Sequence, residues 1–190
     1  MKAVTVFCGA RMGAREIYRE AAQTLGKEIA ERGMTLVYGG GHVGLMGAVA
    51  EAALQAGGQV IGVIPEFMVE RELGYGACTS LEVVDSMHTR KARMAELTDG
   101  FIAMPGGFGT FDELFEILTW AQIGLHAKPI GLLNTNDYFV PLRAMVAHAV
   151  NEGFVGERDA ARLLMANDST ELLQILQGEP SQSAGEWWKT

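Results

Sequence analysis

Proline is scarce in this chain, with 5 in 190 residues. So few prolines exclude a collagen-like repeat and a Pro-rich low-complexity chain. Cysteine is scarcer still: Cys8 and Cys78 stand far apart, with no C-x-x-C spacing. No disulfide framework is expected, and a reducing, cytoplasmic setting fits. Cys8 closes an apolar run and reads as a small buried hydrophobe. Basic residues are outnumbered, 15 Lys+Arg against 23 Asp+Glu, for a net charge of −8. A chain so charged has no basic stripe to offset phosphate repulsion, so nucleic acid is not expected as a partner. The densest basic stretch, Arg90-Lys91-Ala92-Arg93, is short and reads either as a solvated helix face or as a small anion site. No apolar run approaches the ~20 residues that span a bilayer. The N-terminal MKAVTVFCGA breaks at Gly9 too early for a signal peptide, so no membrane association is expected. His42, His88, His126 and His148 show no ligand spacing, and no metal is expected. Of these only His88 draws notice, as a neighbour of Arg90.

Glycine is the residue in excess, 24 of 190, or about one in eight, against a usual share of about 7%. The rest of the composition, 48% hydrophobic and 20% charged, is that of an ordinary globular chain. The length suits one domain with a core large enough to dispense with disulfides and metals. A single domain over residues 1–178 and a loose tail over residues 179–190 are expected.

Short, continuously apolar runs alternate with helical periodicity along the chain. The runs Ala3–Cys8, Met34–Tyr38, Gln59–Ile64, Leu81–Val84, Phe101–Met104, Pro129–Leu133 and Leu163–Ala166 read as strands. Between them, Gly13–Arg32, Val43–Ala56, Ser86–Thr98, Thr110–Ile123, Asp137–Glu152 and Thr170–Leu176 read as helices, and Phe67–Ser80 as a long loop with a short helix. Strands apolar on both faces, separated by helices, predict an α/β fold. It is a Rossmann-like three-layer arrangement with a central parallel sheet and helices on both faces. Ligands in such folds bind beyond the carboxyl ends of the strands.

Two strand-to-helix loops hold the informative glycines. In Gly39–Gly47, the residues Gly39, Gly41 and Gly44 satisfy G-x-G-x-x-G, and Glu66 ends the next strand. That segment alone permits an NAD(P)-dependent oxidoreductase, although the motif follows the second strand rather than the first. The other loop is Pro105-Gly106-Gly107-Phe108-Gly109-Thr110, and it lacks the G-K-[ST] ending of a Walker A loop. Thr110 as N-cap and Glu113 at N3 would form a capping box, a purely structural role. Alternatively, a helix N-terminus that holds a phosphate would place Glu113 beside the attached sugar. Two such loops at neighbouring strand ends would wrap a compact nucleotide from two sides.

PGGFGTFDE fits P-G-G-x-G-T-x-x-E. Together with YGGGHVGLMG at Tyr38–Gly47 and MHTRKAR at Met87–Arg93, it resembles the LOG ("lonely guy") family of cytokinin-activating phosphoribohydrolases. The resemblance runs from FCGA to AKPIGLL, with the three motifs in the family's order. It implies a homodimer that hydrolyses the N-glycosidic bond of a nucleoside 5′-monophosphate. The products are adenine or an N6-substituted adenine, a cytokinin, and ribose 5-phosphate, with no cofactor. Carried over by motif, Arg90 and Glu113 are implied as catalytic. Gly106, Gly107, Phe108, Gly109 and Thr110 are implied as the phosphate loop. Gly41, Glu72, Lys91, Asp112 and Thr119 are implied as further substrate contacts. The chain departs from the family's Cys-Gly-Ser-Ser, with Ala10-Arg11 after Cys8-Gly9. That removes a hydroxyl and leaves Arg11 as a candidate substitute. A non-catalytic nucleotide or cofactor carrier, and the family's older label of lysine decarboxylase, are the remaining alternatives.

Overall fold

A computed structural model describes residues 1–69 and 76–178. Seven strands form one sheet: β1 (Ala3–Phe7), β2 (Thr35–Tyr38), β3 (Gln59–Pro65), β4 (Ser80–Val84), β5 (Gly100–Ala103), β6 (Ile130–Leu133) and β7 (Leu163–Ala166). Every pairing is parallel, in the order β4-β3-β2-β1-β5-β6-β7. The chain therefore winds outward from β1 to one edge, returns to pair β5 against β1, and winds to the other edge. The order reverses between β1 and β5, which is where a doubly wound sheet opens a crevice.

Helices α1 (Glu16–Glu31), α2 (Gly44–Gln55), α3 (Glu66–Val69), α4 (Met87–Glu96), α5 (Phe108–Gln122), α6 (Val140–Asn151), α7 (Glu157–Ala160) and α8 (Ser169–Leu176), with a short 3-10 turn at Thr135–Asp137, complete the described elements. The sheet's two faces explain the continuous apolar strands. Val4, Val6, Leu36, Tyr38 and Ile102 pack with α1, α2 and α8, whereas Phe7, Val37, Phe101 and Ala103 pack with α4, α5 and α6. Period-2 alternation thus sends neighbouring residues into opposite apolar layers. The expected three-layer α/β fold is the observed one.

Three helix starts differ from the sequence reading by two residues or more, each for a local reason. Helix α1 begins at Glu16 rather than Gly13, because Gly13 takes φ +80° and Arg15 is extended at the N-cap. Helix α6 begins at Val140 rather than Asp137, because Asn136 and Asp137 adopt left-handed φ of 54° and 58°. The Asn134 side chain organises that turn, accepting from the Phe139 N–H at 2.8 Å and donating to Asn167 at 2.9 Å. Helix α5 begins at Phe108 rather than Thr110, with Gly107 as N-cap. This last shift matters most for the site.

Helices α1 and α2 approach so closely that Gly26 has no room for a side chain: a Cβ there would overlap the Val49 carbonyl oxygen. Gly26→Ala must push two backbones apart, a strain of about 1–3 kcal/mol. A fall in Tm of roughly 3–10 °C by calorimetry is the expected outcome.

Candidate active site

A cavity of about 740 Å³ lies at the carboxyl ends of β1 and β5, at the point where the strand order reverses. Cys8 and Gly9 continue from β1 into its wall, and residues Pro105–Thr110 continue into it from β5. The two segments are tied together, because Gly9 N–H donates to the Pro105 carbonyl at 3.1 Å. Arg90 and Glu113 contribute the charged groups of the interior.

Arg90 projects from α4, whose start is fixed by Ser86, its side chain accepting from the Thr89 N–H at 3.1 Å. Its guanidinium is buried and engaged on several sides. Nε donates to the Val63 carbonyl at 3.0 Å and Nη1 to Glu113 Oε1 at 2.8 Å. Nη2 occupies the space a Cβ on Gly39 would fill. A lysine has no planar fork with which to reach all three places. Both partners of the pair are nearly inaccessible, at 5% exposure for Arg90 and 8% for Glu113. Burial raises the carboxyl of Glu113 above its ordinary range, while the charge and hydrogen bond of Arg90 pull it back. The Cys8 thiol beside them is driven far up by burial and by the negative charge of Glu113, so it stays protonated.

The N-terminus of α5 is open. Gly107 caps it with extended backbone and no side-chain hydrogen bond, and no acidic residue stands in the first turn. The free N–H groups and the positive end of the helix dipole are therefore available to an anion. Thr110 lies in that first turn, so it is not the N-cap, and Thr110 and Glu113 form no capping box. Thr110 is itself buried, at 3% exposure, and lines the cavity.

Of the site residues drawn from the sequence, Arg90, Glu113, Gly106, Gly107, Phe108, Gly109 and Thr110 meet at this one cavity. Lys91 and Asp112 do not line it; they form a neighbouring cluster with Glu116, at 2.9 and 3.1 Å from the Lys91 ammonium. Thr119 is exposed farther along α5, its hydroxyl donating to the Phe115 carbonyl at 2.7 Å. Gly41 is buried and off the cavity wall, and Glu72 lies outside the described residues. Two of the G-x-G-x-x-G glycines, Gly39 and Gly44, serve packing inside the protein. Gly39 makes room for Arg90, and Gly44, at φ +62°, lies against the backbone of Ala10 and Arg11. Residues 106–109 line the cavity, whereas the first loop gives it Leu45 and Met46 but none of its glycines.

Sequence reasoning missed the cavity's apolar side. Met12, Met46, Met68 and Met87 line it together with Tyr18 and Tyr138. These residues come from separate loops and helices and share no local pattern, so only the folded chain brings them together. Arg11 also lines the cavity. With Arg90 paired to Glu113, it adds a positive charge at the rim.

Sheet order and crevice define a Rossmann-like α/β protein whose cavity holds a buried ion pair. A family model described as "Possible lysine decarboxylase" matches residues 46–176. A cytokinin riboside 5′-monophosphate phosphoribohydrolase of Rhodococcoides fascians is 51% identical over 168 residues, covering 88% of this chain and 85% of the relative. The cytokinin riboside 5′-monophosphate phosphoribohydrolase LOG of Oryza sativa subsp. japonica is 43% identical over 187 residues, covering 97% of this chain and 77% of the relative. The chain belongs to this family, the LOG family. Among solved structures, the molybdenum cofactor carrier protein of Chlamydomonas reinhardtii superposes with a TM-score of 0.70 at 23% identity, over 93% of this chain and 96% of that one. The molybdenum cofactor binding protein of Rippkaea orientalis gives 0.70 at 22% identity, again over 93% and 96%. At such identities the two share the fold.

Arg90 lowers the pKa of Glu113 against the effect of burial. Arg90→Met removes that opposition while keeping an apolar stem, so the carboxyl should titrate at a higher pH than in the wild type. Carbon NMR of the labelled carboxyl checks the sign; a midpoint that falls would contradict the pairing.

Proposed function

We propose that this protein hydrolyses the N-glycosidic bond of adenosine 5′-monophosphate or an N6-substituted adenosine 5′-monophosphate, releasing the base and ribose 5-phosphate. The single observation that carries the reading is the Arg90–Glu113 pair, buried at 2.8 Å in the wall of a cavity that also contains the open N-terminus of α5. Membership of the LOG family supports the same chemistry, since the relatives cited above carry the name phosphoribohydrolase.

In this reading the 5′-phosphate sits on the N–H groups at Gly107–Gly109 with the Thr110 hydroxyl beside it, and Arg11 closes over the rim. Phosphate is remote from the bond that breaks, so its binding energy positions the sugar rather than the leaving base. Cleavage of C1′–N9 develops positive charge on the sugar and negative charge on the base. Glu113 lies one helical turn past Thr110, within reach of the ribose. Its carboxylate takes a proton from the attacking water as oxygen bonds to C1′; the base leaves with the bonding electron pair and takes up a proton from solvent at nitrogen, and Glu113 returns its own proton to solvent. Burial raises the pKa of Glu113 and thereby its basicity, while the charge and hydrogen bond of Arg90 oppose that rise and fix the carboxyl in place. The methionine wall suits the base end. Unbranched, polarisable side chains adapt to a flat purine with or without an apolar N6 group. Decarboxylation of lysine on pyridoxal phosphate would require a Schiff-base lysine, and none is among the described residues of the cavity wall.

We propose further that the protein is a cytoplasmic homodimer. Both cysteines are free thiols, as in a reducing compartment. No described helix is long and apolar enough to cross a membrane. Phe108, 93% exposed at the first position of α5, with Met87 and Phe115 also exposed, offers an apolar surface beside the cavity for a second copy. Sedimentation at micromolar concentration should give twice the chain mass, and Phe108→Asp should shift it toward the monomer.

Glu113→Gln removes the proton acceptor but keeps the shape of the side chain. Release of adenine and ribose 5-phosphate from AMP should slow by roughly 10²–10⁴-fold; near-normal turnover in the folded variant would reject the assignment. A panel of adenosine, AMP and ADP, read by released base, should favour the monophosphate. Indifference to the 5′-phosphate would contradict the placement of phosphate at α5.

A further inference from the structure

The peptide joining Gly106 to Gly107 is the weak point of an anion cradle. Neither flanking residue has a Cβ, so the peptide plane can rotate at little steric cost. One orientation offers the Gly107 N–H to the ligand; the reverse offers the Gly106 carbonyl, which would repel a phosphate. Gly106 cannot be stiffened by a side chain, because a Cβ there would overlap Thr110 Oγ1. Gly107 has open space around it.

A residue from another part of the chain grips this peptide. The Tyr138 hydroxyl donates to the Gly106 carbonyl oxygen. In a planar trans peptide the N–H points opposite to the C=O, so the Gly107 N–H is turned away from Tyr138. That N–H has no acceptor among the described residues. Tyr138 is itself held firmly. Its ring packs edge-on against Tyr18 at 6.2 Å between centroids and against Phe139 at 5.1 Å. It follows directly on the two left-handed residues Asn136 and Asp137. The Asn136 amide donates to the Tyr18 hydroxyl at 3.3 Å and accepts from Arg15 at 3.1 Å. An unfavourable backbone conformation at two consecutive non-glycine residues is thus maintained beside the cavity, where it aims one phenol at one carbonyl.

We propose that Tyr138 is a positioning residue that locks the Gly106–Gly107 peptide with its N–H presented to the substrate's phosphate. The inference rests on the reading of the α5 N-terminus as the phosphate site. Tyr138→Phe keeps the ring and removes only the hydroxyl. By calorimetric titration, affinity for ribose 5-phosphate and for inorganic phosphate should weaken about tenfold, the equivalent of one net hydrogen bond of about 1.4 kcal/mol. Affinity for adenine, which does not touch this loop, should stay unchanged. KM for AMP should rise with kcat held within about twofold, as for an interaction made equally in ground and transition states. Unchanged phosphate affinity in folded Tyr138→Phe, or an equal loss for adenine, would overturn the proposal. A wild type that binds ribose 5-phosphate yet cleaves no nucleotide would overturn the assigned reaction and leave the role of Tyr138 standing. A wild type that cleaves AMP and is insensitive to Tyr138→Phe would overturn the role alone.

Discussion

A guanidinium and a carboxylate held 2.8 Å apart, both nearly sealed from water, are the constraint around which this molecule is arranged. Removing two ions from water costs several kcal/mol apiece unless each finds full compensation. The surrounding chain supplies it: a carbonyl from β3 meets Arg90, and the loop after β2 has glycine at position 39, where any side chain would collide with the guanidinium. Helix α4 is capped so that Arg90 faces inward, while Lys91, the next residue, turns toward a different cluster with Asp112 and Glu116. Helix α5 starts early enough that Glu113 sits in its second turn, facing the pair rather than its own cap. Strand order, glycine placement and helix start therefore answer to one ion pair.

The net charge of −8 is compatible with the proposed binding of an anion. Much of the negative charge is on exposed helix faces, where screening weakens it over about 10 Å. At the crevice the balance is local. Arg90 and Glu113 cancel, Arg11 stands at the rim, and the dipole of α5 points its positive end at the opening.

The fold was legible in the sequence because its signal is local. Strands buried on both faces must be apolar at every position, and runs such as Val4–Phe7 and Leu36–Tyr38 say so without reference to the rest of the chain. The ion pair was half legible: the PGGFGT segment flagged Glu113, but only the folded chain separates a carboxylate that caps its helix from one bonded to a distant arginine. The G-x-G-x-x-G loop misled for a definite physical reason. A glycine required by close approach looks the same whether the approaching group is a pyrophosphate or, as at Gly39, an arginine of the same protein. The methionine wall was illegible, since no spacing links Met12, Met46, Met68 and Met87.

The pairing of β1 with β5 has a kinetic side. Lys2 and Ala3 hydrogen-bond through their N–H groups to Asp99, almost a hundred residues later in the chain. A contact that distant closes late, because loop entropy must be overcome before the contact can repay it. As the chain leaves the ribosome, β1 to β4 can zip into a half-sheet, and β1 remains an unpaired edge until β5 emerges. The crevice is formed by that join. The cavity is therefore the seam of the folding reaction, absent from every partial product that lacks β5.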